Sequence, residues 1–350
     1  MISFRLNGAI IALLLLVIGL AAHNSAAQTQ DSELLVYDPL IQSGFYADSA
    51  FGSRLKSGCL AGTDTETDKT GFVGGLCVWG SAGARYTRHN TSLEYDEDAY
   101  SFTGGVSAPF SFAEIDFGIS YESSNFDSEA VGQADKAGLT TDRFIAGIQG
   151  TRYILNTADA DMRIQIAQTE MDTRRASGSD AYTASPDLRT VSIAGGVEKP
   201  VLAGDFVLVP RFEIGMAYLS VDAFSEKAEG NSEADNAITF EDTSEFLIYL
   251  NPSFDIEYPV TDFMNLFGKA GAQILSTYYP ETRWKGATAG DVSLRANGTI
   301  ERVMYDYGLG MNFVADEGGR VNLRFEYDGS ASSSFETFVH GFRGRVNVAF

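Results

Sequence analysis

The stretch FETFVHGFRGRVNVAF, residues 335–350, restricts the fold more than any other part of this chain. Phe338, His340, Phe342, Gly344, Val346, Val348 and Phe350 fall on one side of an extended strand. Val339, Gly341, Arg343, Arg345, Asn347 and Ala349 fall on the other. A period of two marks a strand whose two sides meet different surroundings. The first side is mostly apolar and aromatic, and the second carries arginines and an asparagine. The sequence stops on an aromatic residue with no turn after it. That is the form of closing strand with which a bacterial outer-membrane β-barrel joins its last stave to its first.

The same alternation recurs upstream. From about Val73 to Arg88, Val78, Gly80, Ala82, Ala84 and Tyr86 oppose Cys77, Trp79, Ser81, Arg85 and Thr87. Further strands are expected at about 98–110, 111–123, 140–154, 159–171, 188–201, 206–221, 244–258, 262–279, 300–314 and 320–328. In the tenth, Val303, Tyr305, Tyr307, Leu309, Met311 and Phe313 oppose Asp306, Gly308, Gly310 and Asn312. With the closing strand the total is about twelve, and single-chain bacterial barrels have even numbers.

Connections alternate between short turns, such as Pro259-Val260-Thr261 and Asp316-Glu317-Gly318-Gly319, and long polar segments, such as Ser123–Leu139 and Asp222–Thr243. Short turns are expected on the periplasmic side, with both termini, and long loops outside. A soluble β-sandwich shares the strand alternation. It has no need of ordered long and short connections, export, or an aromatic end. The expected fold is therefore an all-β transmembrane antiparallel barrel.

The amino-terminal region reads differently. Arg5, the short apolar run Ala9–Leu20 and Ser25-Ala26-Ala27 have the order of a secretory signal peptide, so residues 1–27 are expected to be removed. Residues 28–72 form a short segment in which Asp38–Ser57 is expected to be a broken helix. Asp38 caps it, Pro39 starts it, and Leu40, Ile41, Phe45, Phe51 and Leu55 share a stripe. The barrel is assigned to 73–350. The formal charge of −22 argues against nucleic acid as a partner, because phosphates would be repelled. The sequence holds two cysteines, Cys59 and Cys77. In an exported protein a lone pair is expected to form a disulfide, two free thiols being the alternative.

Candidate chemistry is sparse. His89 is followed by Glu94, Asp96, Glu97 and Asp98, a group with the residue types of a rim acid–base or metal site. A solvated acidic loop that holds divalent cations loosely, bridging to lipopolysaccharide, accounts for it more simply. His340 lies on the apolar register with no serine–carboxylate set around it. The acidic segment Asp222–Glu245 has no EF-hand spacing. No zinc spacing, phosphate-cradling glycine loop or nucleophile elbow appears, so no enzyme activity, metal or cofactor is expected. The polar register predicts a lumen lined by Arg85, Glu114, Asp116, Glu122, Arg163, Arg211, Glu213, Asp255, Glu257, Lys269, Asp306, Arg324, Glu326, Arg343 and Arg345. Such residues either set the ion selectivity of a pore or neutralise one another around a plug.

Several stretches together resemble a known family. They are SAFGSRLKS at 49–57, Val78-Trp79-Gly80, DYGLGMNF at 306–313, and YDGS followed by HGFRGRVNVAF. In this order, from Ala50 to Phe350, they are similar to the autotransporter β-domain, the translocator barrel of type V secretion. The resemblance implies that Asp38–Ser57 threads the lumen as a plug helix. It also implies an exported passenger, for which about a dozen residues after the expected cleavage site leave no room. A Cys59–Cys77 bond would then staple the plug to the inner wall. The expected function is that of an outer-membrane autotransporter-type barrel without its own passenger, structural or surface-interacting. A small-solute channel or, less favoured, a surface enzyme is the alternative. The expected partners are outer-membrane lipid, lipopolysaccharide, and the barrel-assembly machinery that recognises a last strand ending in Phe350.

Overall fold

The computed structural model describes residues 55, 75–90, 93–110, 112–130, 136–154, 158–177, 179–276, 281–288, 293–299, 303–315 and 320–350. Twelve long antiparallel strands form a closed barrel. They are β1 Cys77–Asn90, β2 Leu93–Pro109, β3 Glu114–Ala130, β4 Lys136–Ile154, β5 Ala158–Ser177 and β6 Asp187–Glu198. Then follow β7 Phe206–Val221, β8 Thr243–Thr261, β9 Met264–Ser276, β10 Val303–Val314, β11 Val321–Ser332 and β12 Thr337–Ala349. Every strand pairs with its neighbours in sequence, and β12 returns to β1. Cys77 stands opposite Ala349 and His89 opposite Thr337, and the Phe350 amide donates to the Leu76 carbonyl at 2.9 Å. Closure leaves no sheet edge among the staves, which a span through lipid requires, since no water is there to satisfy open backbone groups.

The alternation in the sequence becomes two surfaces. Val78, Phe102, Phe117, Ile119, Phe144, Ile148, Met162, Ile164 and Ile214 point outward and are exposed, as are Met216, Leu309, Phe325, Phe342 and Val346. Inward neighbours such as Trp79, Thr103, Asp116, Ser120, Arg163 and Glu213 are buried. An apolar coat of this extent is untenable in water and suits a bilayer. No helix among the described residues is long and apolar enough to cross a membrane.

At the end that holds the termini the connections are tight. Phe110 and Ala113 exchange backbone hydrogen bonds between β2 and β3. Before β7 a short strand, Val201–Ala203, folds back on Phe206–Leu208 through Gly204-Asp205. Gly204 has φ +68, as the first central residue of such a two-residue turn requires.

At the opposite end, the outer mouth, the structure corrects the sequence reading. Ser123–Leu139 is not one long loop: β3 and β4 stay paired out to Glu129 and Lys136. Beyond the lipid the outward positions no longer need apolar residues. Ser123, Asn125 and Asp127 therefore look like a loop although Ser124 and Phe126 still point inward and are buried. β2 and β5 likewise reach beyond their expected ends, to Leu93 and Ser177. Asp222–Thr243, also read as an open loop, is folded. Phe224–Ser225 pairs with Ile238–Phe240, and Lys227–Ala228 pairs with Tyr182–Thr183 of a small strand, Asp180–Ala184, between β5 and β6. Ile238–Phe240 also pairs with Glu281–Thr288, which forms a hairpin with Ser293–Thr299 between β9 and β10.

Candidate functional site: the lumen and its outer mouth

The lower lumen is organised around Trp79. Its neighbours across the ladder are Gly105, then Gly118, then Gly147. The indole lies over this run of small residues. A Cβ at Gly105 would collide with the Trp79 ring and the Phe117 carbonyl. The Arg345 guanidinium stacks 4.5 Å from the ring centroid on the other side, its Nε donating to Asn347 Oδ1 at 2.6 Å. Leu55 is helical and 0% exposed, and it packs with Trp79, Ile145 and Ala167. A Cβ on Gly118 would sit 2.6 Å from Leu55 Cδ2. The glycines make the depression that admits this side chain. The other residues of the expected plug segment Asp38–Ser57, the signal segment 1–27 and Cys59 lie outside the described residues.

Higher in the lumen the charges meet one another. Arg85 donates to Glu97 at 2.9 Å and to Glu122 at 3.1 Å. Arg163 grips Glu213 with both terminal nitrogens at 2.7 Å and reaches the Tyr249 hydroxyl at 3.1 Å. Arg211 bridges Asp161 and Glu213, with bonds of 2.9 and 2.6 Å. Lys269 donates to Glu326 at 2.6 Å, and Arg324 donates to the same carboxylate at 3.3 Å while lying 3.7 Å over the Phe267 ring. Arg343 faces Asp328 at 3.6 Å. At the foot of the wall, in register with Cys77, Asp116 accepts from Ser107, while Asp306 accepts from Ser330 at 2.6 Å. Glu114, Asp255 and Glu257 stand half-buried on the same inward register. Buried charges persist only where counter-charges and donors surround them, so removing one partner leaves the other stranded in the wall.

The outer mouth has the opposite chemistry. Tyr95, Phe126, Leu139, Met171, Leu188, Leu219, Val221, Leu247 and Leu275 point inward from the strand ends and form one apolar cluster. The segment 222–242 fills it. Ile238 and Phe240 are 0% exposed, and Phe224 stacks on Phe240 with ring centroids 4.6 Å apart. Arg175 of β5 holds the segment by a two-point bond to Glu226, at 3.0 and 2.6 Å. The same guanidinium lies 4.5 Å from the Tyr182 ring centroid and donates to the Asn236 carbonyl. Glu226 also accepts from the Ile238 amide at 3.0 Å. Burial and the neighbouring Asp180 push the Tyr182 hydroxyl above its ordinary pKa. The proton that it keeps is donated to the Glu233 carbonyl at 3.1 Å.

Of the rim group around His89, the described carboxylates Asp96, Glu97 and Asp98 are not brought together. Glu97 turns inward to Arg85, while Asp96 and Asp98 turn outward into solvent. One residue of displacement moves a side chain across the wall, and the run Glu94–Asp98 is a strand rather than a loop. His89 bonds Thr337 at 2.6 Å and stacks on Tyr95. His340 pairs with the Tyr327 hydroxyl at 2.7 Å. Among the described residues no group of three metal-binding side chains occurs. Cys77 is buried on the inward register at the foot of β1.

Glu226, Arg175 and the stoppers Ile238 and Phe240 were not singled out from sequence. For the stoppers the signal was the alternation Ile238-Thr239-Phe240, two apolar residues about a hydroxyl, inside an otherwise acidic run.

Comparison with known proteins agrees with this geometry. The translocator domain of the autotransporter NalP from Neisseria meningitidis superposes with a TM-score of 0.65 at 16% identity, over 90% of this chain and 99% of that one. The β domain of the Bordetella autotransporter BrkA gives 0.51 at 12% identity, over 79% and 100%. The transport unit of AIDA-I from Escherichia coli gives 0.50 at 12%, over 86% and 97%. At such identities the likeness is one of fold. No curated protein sequence matches the chain. The autotransporter beta-domain family, however, matches residues 78–328, most of the sequence. With its lipid-facing coat, closed staves and bridged lumen, this protein is a β-barrel of the bacterial outer membrane, and the chain belongs to the autotransporter β-domain family.

Proposed function

We propose that this autotransporter-type barrel works as a closed surface protein, structural or surface-interacting, rather than as a solute channel. One observation carries the reading: the lumen is occupied at two levels, by Leu55 against Trp79 below and by Ile238 and Phe240 among the mouth residues above, all of them buried. Between these levels charged residues of the wall form internal pairs. A shut mouth also offers no route for a polypeptide through the lumen, so the role needs no passenger carried in cis. The partners of this reading are lipid, lipopolysaccharide reached through divalent cations at the exposed carboxylates Asp96, Asp98, Asp127, Glu170 and Asp172, and the assembly machinery that meets the exposed Phe350. Within it, Cys77 is paired with Cys59, tying the preceding segment to the foot of β1.

The test is electrical. The full chain, refolded and inserted in planar bilayers, should be nearly silent. Steady single-channel steps from most inserted molecules would replace this reading with the channel.

A further inference from the structure

We infer that residues 222–242 are a hinged lid, a gate over the outer mouth that the Arg175–Glu226 pair latches shut. The inference rests on the closed-barrel reading and adds a moving part to it. The lid is two-sided. Its inner face presents Phe224, Ile238 and Phe240 to the mouth, while Asp222, Glu233, Asp235, Glu241 and Asp242 are exposed.

Its attachment differs in kind from that of the staves. β7 and β8, which it connects, are joined along a continuous ladder from Val221–Thr243 down to Val207–Glu257. The lid itself is held to the β5–β6 hairpin by the two pairs of Lys227–Ala228 with Tyr182–Thr183. Single bonds add to these, from the Ala181 amide to Ser232 Oγ at 2.9 Å and from the Glu229 amide to the Ala181 carbonyl at 2.8 Å. The short strand Ile238–Phe240 meets the β9–β10 hairpin on its other side. An element with few ladder bonds opens locally at far lower free energy than the sheet that carries it.

The latch suits reversible closure. Arg175 and Glu226 are both buried, and the Tyr182 ring and the Asn236 carbonyl also meet the guanidinium. A buried pair of this kind yields less net stability than apolar packing would, but its removal is strongly unfavourable because one charge is left behind. It therefore fixes one closed position and leaves a route to release. Once the lid lifts, the charges return to water, and the inward apolar ring of Leu188, Leu219, Leu247 and Leu275 faces the outside.

The experiment uses the full chain in cells and reads thiol access beneath the lid. Ser192 is buried on the inward register of β6, and Ser192→Cys is nearly isosteric. A membrane-impermeant maleimide is added to intact cells, with the parent chain labelled in parallel to supply the background from the native cysteines. Barrel folding is checked by heat-modifiable gel migration. With the lid intact, labelling should be slow. Adding Glu226→Gln, or separately Phe240→Ser, should speed it by about tenfold or more. Fast labelling with the lid intact would overturn the closed-barrel reading itself. Slow labelling that neither variant changes, in barrels that migrate as folded, would overturn the lid alone and leave the closed barrel standing.

Discussion

Around Arg163 the inward positions of the barrel hold guanidinium and carboxylate groups in mutual contact. A few residues higher, the same inward positions hold Leu188, Leu219, Leu247 and Leu275. Both regions face the lumen and both are buried, yet they solve burial in opposite ways. The charged level is knit along the wall by residues pairing with one another, as Arg163 of β5 does with Glu213 of β7 over the intervening β6. The outer level is closed by a segment that is not part of the wall. Apolar side chains need only area to cover them, so a loop of suitable shape can come and go. Charges need particular partners at particular angles, so their level is rigid. The lumen therefore has a fixed middle and a replaceable top.

Substitutions can sharpen this contrast or break it. The largest loss is expected from Glu213→Leu, which strands the Arg163 guanidinium in the wall. Unfolding in urea should lose about 3–5 kcal/mol, and a loss under ~1 kcal/mol would mean the middle is not the rigid level. Phe240→Ala removes a comparable buried side chain, for a cost of about 3 kcal/mol, but the cost should fall on the lid. Surface proteolysis within 222–242 should accelerate while the heat-modifiable transition of the barrel stays put. A fall in that transition would join the two levels into one cooperative unit. Gly118→Ala places a methyl against Leu55 and Trp79, and about 1–2 kcal/mol of destabilisation is expected by thermal melting. No change would show that Leu55 is easily displaced. The smallest effect belongs to the outer surface. The Arg88–Asp96 pair, at 4.0 Å with both side chains 55% exposed, should give less than ~0.5 kcal/mol when Arg88→Ala is melted at moderate salt.

Much of the architecture was legible because a strand in lipid has only two kinds of neighbour. Each inward or outward position can be read from its own residue, and the expected staves at 206–221 and 335–350 lie within a few residues of β7 and β12. The reading weakened where the lipid stopped. Above the apolar coat, Asp127 and Glu97 carry the same polarity whether they lie on strand or loop, so β3 was cut short and Glu97 was grouped with His89 rather than with Arg85. The inward register could be read for Arg163 and for Glu213, but not that they meet. Their separation along the chain is large, and the contact depends on how β5, β6 and β7 stagger.

By itself the sequence determined a two-faced wall of about twelve strands with a closing strand at its end, because these follow from local alternation and from chain direction. Only the tertiary structure decided what fills the lumen. Glu226 against Arg175, Phe240 in the mouth and Leu55 over Gly118 come together only after the sheet has curled shut. Contacts across a closed ring depend on strand stagger and loop path, and neither is written in the residues of any one strand.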